Sequence, residues 1–245
     1  MKPVRGRAYG SIPHLFYSQA NGDRFVGTGQ HRIATEKARD KHDLIIVQEK
    51  VDGANCAVLK KDGGLIPISR NGHRCEESTY EQHRIFHQWV MQHYEKFAFL
   101  REGERLCGEW MILAHGTRYD IKTPFIVFDI INDGMGDRKD GYRLSHSAFM
   151  DRLPPEFTTP IPLHIGSPCS IEHAMEELGS RGHHGGLEET EGAVWRVERN
   201  GKIDFLAKYL RRPPATIGQY LGHENEEVWN VDIKRFRKEL PWVIA

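Results

Sequence analysis

The sequence is poor in cysteine, and its few cysteines are not paired along the chain. Four of the 245 residues are cysteines, they lie far apart, and no Cys-x-x-Cys pair occurs among Cys56, Cys75, Cys107 and Cys169. Small secreted proteins and many zinc proteins carry closely spaced cysteines instead. We therefore expect reduced thiols inside a cell rather than a disulfide framework or a zinc site.

Long apolar runs are missing as well. No stretch approaches the ~20 apolar residues that are needed to cross a bilayer. The first residues, Met-Lys-Pro-Val-Arg-Gly-Arg, lack the apolar centre of a signal peptide. The sequence contains no internal repeat and no low-complexity segment. These absences predict a cytoplasmic protein that has no membrane partner.

The chain has no net charge, because 34 Lys and Arg residues balance 34 Asp and Glu residues. Overall charge therefore gives no argument for nucleic-acid binding, although a local basic face would suffice for it. Hydrophobic residues make up 39% of the sequence. The chain is long enough for one large domain or two small ones with a substantial core.

The most informative stretch is 47–56, which reads Val-Gln-Glu-Lys-Val-Asp-Gly-Ala-Asn-Cys. Apolar runs on both sides of it predict two strands. Residues two apart in a strand share a face, so Lys50 and Asp52 would place an amine beside a carboxylate. Gly53 has no Cβ and allows another group to approach the backbone closely. The alternative is a plain hairpin turn at Asp-Gly with a solvated lysine beside it.

Periodicity and turn signals predict a mixed α and β chain. Asn200-Gly201 is typical of a hairpin turn, Pro67 indicates a sheet edge, and Ser145 is a candidate helix N-cap. Strands are predicted at 44–47, 57–59, 65–69, 105–113, 123–131, 191–197 and 203–212. Helices are predicted at 76–100, 141–153, 170–179 and 225–240, the last one basic towards its end.

Several charged residues fall inside these apolar strands. Glu109 lies among Cys, Trp, Met and Ile residues, and Lys208 lies in an apolar run. Buried charges of this kind need a partner, so we expect an ion pair or a functional site. His83 and His87 are four residues apart in a predicted helix and could bind a metal. No third ligand follows them at a recognisable spacing, so a polar helix face is the favoured interpretation.

In order, the chain offers Lys-x-Asp-Gly, a Ser-Arg-Asn-Gly loop, a Gly-Glu strand, a Phe-Asp strand, a Glu-Gly strand and a strand lysine. This series, between Gln48 and Arg212, resembles the covalent nucleotidyltransferase superfamily of ATP-dependent ligases and capping enzymes. Within that superfamily, Glu49-Lys-Val-Asp-Gly-Ala-Asn55 is most similar to the RNA ligase branch, which includes RNA ligase 2 and the RNA-editing ligases.

The resemblance implies a chemical role for the acidic and basic residues. Lys50 would attack the α-phosphorus of ATP, expel pyrophosphate and become a lysyl-AMP. Near Lys50, a Mg²⁺ or Mn²⁺ ion would be held through water by Asp52, Glu109 and Glu191. The implied catalytic residues are Lys50, Asp52, Glu109, Glu191 and Lys208.

It also implies how the nucleotide is bound. Phe128 would stack on the adenine, Glu49 would contact the adenine edge, and Lys208 would bind the α-phosphate. Arg70 would contact the nucleotide sugar or the phosphate of the RNA end, and Asn55 matches a residue needed for sealing. The implied ATP-binding set is Glu49, Lys50, Asn55, Arg70, Glu109, Phe128, Glu191 and Lys208.

The expected protein is thus an ATP-dependent RNA ligase for RNA repair. It would adenylate a 5′-phosphate RNA end and then join that end to a 3′-hydroxyl. Its expected partners are RNA ends, and a separate RNA-binding or repair protein could be a further partner. The implied fold is α+β, with two mainly antiparallel sheets, flanking helices and the nucleotide between the sheets, as in ATP-grasp-like folds. We expect an adenylation domain at 1–212 and a short helical tail at 213–245 without an OB-fold domain.

One departure from the family pattern concerns its last motif, which usually carries two lysines one residue apart. Leu206 stands at the first of these positions, so only Lys208 carries over, and Arg211 or Arg212 would have to compensate. Two alternatives to an RNA ligase remain open. The chain could be a DNA ligase or an mRNA capping guanylyltransferase, or it could be a non-catalytic module that binds RNA ends.

Overall fold

The computed structural model describes residues 4, 6–20, 22–134, 141–212 and 227–240. Within these residues it has five α-helices, one short 3₁₀ helix at Tyr94–Phe97 and nine strands. In chain order the helices and strands are α1 (Thr28–Thr35), β1 (Asp43–Lys50), β2 (Ala54–Lys61), β3 (Gly64–Ser69), α2 (Glu81–Gln92), β4 (Glu104–Trp110), β5 (Phe125–Asn132), β6 (Tyr142–Arg143), α3 (His146–Arg152), β7 (Pro162–Gly166), α4 (Ile171–Leu178), β8 (Gly192–Arg199), β9 (Lys202–Leu210) and α5 (Ile233–Glu239).

The strands form two antiparallel sheets. One has four strands in the order β7-β1-β8-β9, and the other has five in the order β3-β2-β4-β5-β6. The chain passes from the first sheet to the second between Lys50 and Ala54. Because β1 and β2 belong to different sheets, the hairpin considered for Asp52-Gly53 is wrong. Long-range pairing of β1 with β8, rather than local pairing with β2, determines where Lys50 lies.

The five-stranded sheet packs against α2 through the larger apolar core. The helical stripe predicted from the sequence is confirmed, because Ile85, Phe86 and Val90 are buried against Trp110 and Phe125. The helix itself is shorter than the predicted 76–100: it begins after Tyr80 and ends at Gln92, and the chain continues as the 3₁₀ helix. The proline prediction is also confirmed, because β3, which contains Pro67, is an edge strand.

The four-stranded sheet packs against α1 and α4 around the buried indole of Trp195. The hairpin predicted at Asn200-Gly201 is confirmed as the β8–β9 turn. The helix predicted at 170–179 is confirmed as α4, and the hydroxyl of Ser170 caps it by accepting a hydrogen bond from the backbone of His173. Helix α1 was not predicted, because its buried face consists of polar or small residues, His31, Ala34 and Thr35, and not of an apolar stripe.

The last described segment packs onto the larger core through Trp229, Val231 and Phe236. Its helix, α5, starts after the capping side chain of Asp232 and is shorter than the predicted 225–240, of which 225 and 226 lie outside the described residues. Ser145 caps α3 as predicted. In the part of the chain that the structure describes, no helix combines the length and the apolar character that crossing a bilayer requires.

Candidate active site

A cavity of about 770 Å³ lies between the two sheets, a volume typical of small-molecule sites. It is lined from the four-stranded sheet, from the β1–β2 crossover and from the five-stranded sheet. All nine residues singled out in the sequence line this one cavity: Glu49, Lys50, Asp52, Asn55, Arg70, Glu109, Phe128, Glu191 and Lys208.

Lys50 is the last residue of β1, and its ammonium group donates a hydrogen bond to Glu191. The pair forms because Lys50 lies opposite Gly192 in the β1–β8 ladder, which places Glu191 next to it. Burial alone would lower the pKa of Lys50. The negative charges of Glu191, Asp52 and Glu109 outweigh burial, so its pKa lies above the ordinary value. With these carboxylates uncompensated, Lys50 is a cation and not a nucleophile.

Asp52 lies in the crossover and not in a strand, so strand alternation is not what brings it beside Lys50. Its carboxylate accepts a hydrogen bond of 2.5 Å from the backbone N–H of Gly116. Gly53 is required here because a Cβ would lie 2.5 Å from the backbone oxygen of Trp110. Burial, together with the charge of Glu191, raises the pKa of Asp52 to about 6, although Lys50 acts against the shift.

Glu109 faces the crossover from β4. Its carboxylate accepts hydrogen bonds from the backbone of Gly53 at 3.3 Å and from the side-chain amide of Asn55 at 3.4 Å. Asn55 is its direct partner in the β2–β4 ladder, which explains the contact. Burial raises the pKa of Glu109 to about 8; Lys50 acts against the shift and Asp52 adds to it. The side-chain oxygen of Asn55 is buried and has no hydrogen-bond partner in the part of the chain that the structure describes.

Glu49 lines the cavity where the 181–186 loop packs against it. One carboxylate oxygen accepts a hydrogen bond of 2.7 Å from the backbone of His183, and the other is buried without a partner among the described residues. Burial raises the pKa of Glu49, and the hydrogen bond from His183 acts against that shift. Gly182 allows the loop to approach, since a Cβ there would lie 2.1 Å from the Glu49 carboxylate.

The other predicted contacts come from both walls. Phe128, in β5, is partly exposed and meets the ring of Tyr9 edge-on at 5.0 Å, which holds its ring in place. Lys208, in β9, forms an ion pair of 3.0 Å with Asp23. Arg70 follows β3 directly and is exposed at the rim of the cavity.

Sequence reasoning missed Arg196, which also lines the cavity. It is the direct ladder partner of Leu206, the position at which a lysine was expected from the resemblance. The Arg196 guanidinium is held by Glu198 at 2.6 Å and by Asp129 at 3.4 Å. The sequence contained a signal for Arg196, because it is a charged residue inside the predicted apolar strand 191–197.

Arg211 and Arg212, suggested as compensating residues, lie close enough to the cavity carboxylates to act on them. The charge of Arg212 acts to lower the pKa of Asp52, and that of Arg211 acts to lower the pKa of Glu49. Arg211 donates a hydrogen bond of 2.9 Å to Thr190, and Arg212 donates one of 2.6 Å to the backbone oxygen of Gly116. Neither arginine lines the cavity.

The two histidines of the α2 pair have other partners, although His83 also lines the cavity. The ring of His83 lies 2.9 Å from the hydroxyl of Ser78, and that of His87 lies 3.7 Å from Glu76. The interpretation of the two histidines as a polar helix face therefore agrees with their contacts.

A family model of RNA ligases matches residues 43–210, which span both sheets and every cavity residue of β1 to β9. The chain belongs to the RNA ligase family. A search of curated proteins found no match to it.

Solved structures similar to this RNA ligase family member include variants of Naegleria gruberi RNA ligase. One, a lysine-to-methionine variant with AMP and Mn, has a TM-score of 0.55 and 16% identity over 85% of this chain and 61% of its own. Another, a lysine-to-alanine variant with ATP and Mn, has the same TM-score and identity over 85% and 62%. The present chain thus spans about three fifths of their length. The predicted α+β fold of two mainly antiparallel sheets is confirmed.

Proposed function

We propose that this protein is an ATP-dependent RNA ligase that joins 3′-hydroxyl and 5′-phosphate RNA ends in RNA repair. The observation that carries the proposal is the position of Lys50. This chain belongs to the RNA ligase family, and the Lys50 amine lies in a cavity between two sheets. The amine donates a hydrogen bond to Glu191 and interacts electrostatically with Asp52 and Glu109. A lysine placed in this way can form a bond to phosphorus once it is neutral.

The donor set of the cavity fits a divalent cation. Asp52, Glu109 and Glu191 all line this cavity, and burial, more than any neighbouring charge, raises the pKa values of Asp52 and Glu109. A cation that binds the ionised carboxylates would offset this cost of burial. In the described part of the chain, the oxygens of Asp52, Glu109 and Glu191 do not form a group within 4.8 Å of one another. That spacing suits Mg²⁺ or Mn²⁺ held through its water shell, since Mg²⁺ gives up water reluctantly.

Such a cation supplies positive charge beside Lys50 and beside the phosphates of ATP. The three carboxylates are also the groups that raise the pKa of Lys50. Their neutralisation would therefore lower that pKa and release the free amine. Lys50 Nζ would then form a bond to the α-phosphorus while the bond to pyrophosphate breaks, and its proton leaves to solvent or to a carboxylate.

The cavity also has groups that fit a nucleotide. Phe128 offers a ring held at its edge for stacking on a base. The unpartnered buried oxygens of Glu49 and Asn55 are acceptors that could receive hydrogen bonds from an amino or hydroxyl group. Lys208 is the cation on the four-stranded sheet that would bind the α-phosphate, and Arg70 is placed at the rim for the sugar or an RNA phosphate.

After adenylation, the AMP would pass from Lys50 to the 5′-phosphate of an RNA, which breaks the N–P bond and forms a P–O–P linkage. A 3′-hydroxyl would then attack the 5′-phosphorus, and AMP would leave. Positioning and charge stabilisation do most of the work in such transfers. We also propose a cytoplasmic location and a separate RNA-binding partner.

The first test is covalent labelling by ATP. Protein incubated with ATP labelled at the α-phosphate and with Mg²⁺ or Mn²⁺ should acquire one label per chain, and Lys50→Ala should abolish it. Lys202→Ala, at an exposed strand lysine, is the matched control and should keep the label. The proposal fails if no label forms with either metal, or if the Lys50→Ala protein is still labelled.

Sealing assays then define the substrate. The labelled protein should seal a nicked duplex with 3′-hydroxyl and 5′-phosphate RNA ends, and adenylated RNA should accumulate briefly. Labelling by GTP instead of ATP would identify a capping enzyme, and sealing of DNA nicks alone would identify a DNA ligase. RNA binding without any label would identify a non-catalytic module.

A further inference from the structure

A second cluster of metal-ligating side chains lies on the outer side of the four-stranded sheet. It consists of His164, Cys169 and His173, and one ligand atom of each lies within 4.8 Å of those of the other two. It is the one such group of histidine, cysteine or acidic residues found among the described residues. None of the three lines the cavity between the sheets, so the cluster is separate from the candidate active site.

The fold brings these residues together from three successive elements. His164 is in β7, Cys169 is in the connection after it, and His173 is in the first turn of α4. Hydrogen bonds at the backbone N–H and carbonyl groups of Cys169 fix the connection between β7 and α4. The Cys169 N–H donates to Ala34 at 3.1 Å, and its carbonyl accepts from the indole of Trp195 at 3.0 Å. The capping bond of 3.2 Å from the His173 N–H to Ser170 fixes the start of α4.

His164 is oriented as metal-binding histidines are. Its Nε2 lies 2.7 Å from the backbone carbonyl of Ser167, an oxygen that can only accept, so Nε2 carries the proton. The lone pair is therefore on Nδ1, the nitrogen left free to ligate. A backbone carbonyl that fixes the tautomer of a ligating histidine is a recurrent feature of metal sites.

The cluster is open to solvent on the side of His173, because its three residues differ in exposure. The side chain of Cys169 is only 2% exposed, His164 is half-buried and His173 is exposed. The rings of His164 and His173 meet edge-on, at 82° and with 6.1 Å between their centroids, rather than stacking. An ion could reach the thiol from the side of His173.

We propose that His164, Cys169 and His173 bind a divalent transition-metal ion of the zinc class. One thiolate and two imidazoles are ligands that select Zn²⁺ over Mg²⁺, which prefers carboxylates and water. With bonds of about 2.3 Å to sulfur and about 2.0 Å to nitrogen, tetrahedral ligand atoms are roughly 3.3 to 3.5 Å apart. Because the ligand atoms lie within 4.8 Å of one another, closing the cluster requires a shift of at most about 1.5 Å. Side-chain rotation of the exposed His173 can provide it.

Binding converts the Cys169 thiol into a metal-bound thiolate and releases one proton to solvent, with no change of oxidation state. Three protein ligands leave the fourth position to a water molecule. The ion would join the edge strand β7 to α4. Because His164 pairs with Val47 of β1, it would also brace the strand that carries Lys50.

Cobalt(II) titration of the intact protein tests the proposal, since Co²⁺ takes zinc sites and reports its ligands by absorption. In excess Mg²⁺, which occupies carboxylate sites, one equivalent of Co²⁺ should give a near-ultraviolet thiolate charge-transfer band and tetrahedral visible bands. One equivalent of Zn²⁺ should remove both. His173→Gln, at the exposed ligand, should weaken Co²⁺ binding more than about tenfold, and Cys169→Ser should remove the charge-transfer band.

Two variants separate this cluster from other sites. His87→Gln, in the histidine pair of α2, and Lys50→Ala, in the candidate active site, should both keep the full cobalt spectrum. The Lys50→Ala result also separates this proposal from ligase activity. The proposal is overturned if equimolar Co²⁺ gives no charge-transfer band, or if the spectrum survives in folded His173→Gln protein.

Discussion

Removing the charge of Glu109 should stabilise the protein at alkaline pH while it abolishes labelling by ATP. The variant is Glu109→Gln, which keeps the shape of the side chain and its acceptor oxygen. That oxygen can keep the hydrogen bond from the Gly53 backbone, whereas the NH2 group that replaces the second oxygen cannot accept the weaker bond of 3.4 Å from Asn55. What changes is the cost of ionising a carboxyl group that is buried close to Asp52.

The size of the effect follows from the pKa of Glu109, which burial raises from 4.5 to about 8. Because the folded-state pKa lies above the unfolded value, this group's favourable contribution is complete below about pH 4.5 and is lost as the pH rises through 8. At about 1.4 kcal/mol per pKa unit, the total loss approaches ~5 kcal/mol, and about half of it falls between about pH 6 and pH 8.5.

Urea unfolding of both proteins at these two pH values measures the effect. The free energy of unfolding of the natural protein should fall by about 2 kcal/mol more than that of Glu109→Gln between about pH 6 and pH 8.5. Saturating Mn²⁺ should reduce this difference, because a cation compensates the ionised carboxylate. If the two proteins lose stability in parallel, Glu109 is already ionised at neutral pH and the electrostatic account of the site is wrong.

Three further changes test single features of the fold and the site. Gly53→Ala should lower the free energy of unfolding by about 1–3 kcal/mol, because its Cβ would meet a backbone oxygen of β4; Gly10→Ala, where nothing lies within 4 Å, should show in the same urea titration a far smaller change. Phe128→Ala should weaken ATP binding, measured by calorimetry, by about 1–3 kcal/mol, and Phe128→Trp should retain it; unchanged affinity in Phe128→Ala would exclude stacking there. Arg196→Met should lower the free energy of unfolding, measured by thermal unfolding, by about 3 kcal/mol, because Asp129 loses one of its cationic partners. An unchanged free energy of unfolding would show that this ion pair contributes little.

Local sequence patterns predicted much of the fold, because they depend on neighbours along the chain. The buried stripe of α2, the caps of α3 and α4 and the β8–β9 hairpin are each encoded within a few residues. Boundaries were less accurate: α2 is shorter than the apolar periodicity suggested, and the buried polar face of α1 gave no apolar signal.

The position of the site was predicted more successfully than its geometry. Lys50 and Asp52 do lie together, but strand alternation is not the reason, since β1 ends at Lys50 and Asp52 lies in a crossover between sheets. The decisive partner, Glu191, is 141 residues away and is brought in by the β1–β8 ladder. Pairings at such distances leave no periodic signal in a single sequence.

The cysteine pattern has the same limitation, because it reports only ligands that are close together along the chain. The absence of Cys-x-x-Cys argued against a zinc site, but ligands can also come from a strand, a turn and a helix that the fold brings together. His164, Cys169 and His173 are such a set, and only the packing of α4 beside β7 makes it visible.

The charges of the candidate active site are divided between the two sheets. Glu191 and Lys50 come from the four-stranded sheet, Glu109 comes from the five-stranded sheet, and Asp52 lies on the crossover that joins them. Without a cation, Glu109 and Asp52 raise each other's cost of ionisation, and Lys50 stays protonated. A cation held through water by all three carboxylates would relieve repulsion across the cavity and free the amine at the same moment. The reactivity of Lys50 would thus depend on compensation of these carboxylates, so Lys50 would be inert until the metal is bound.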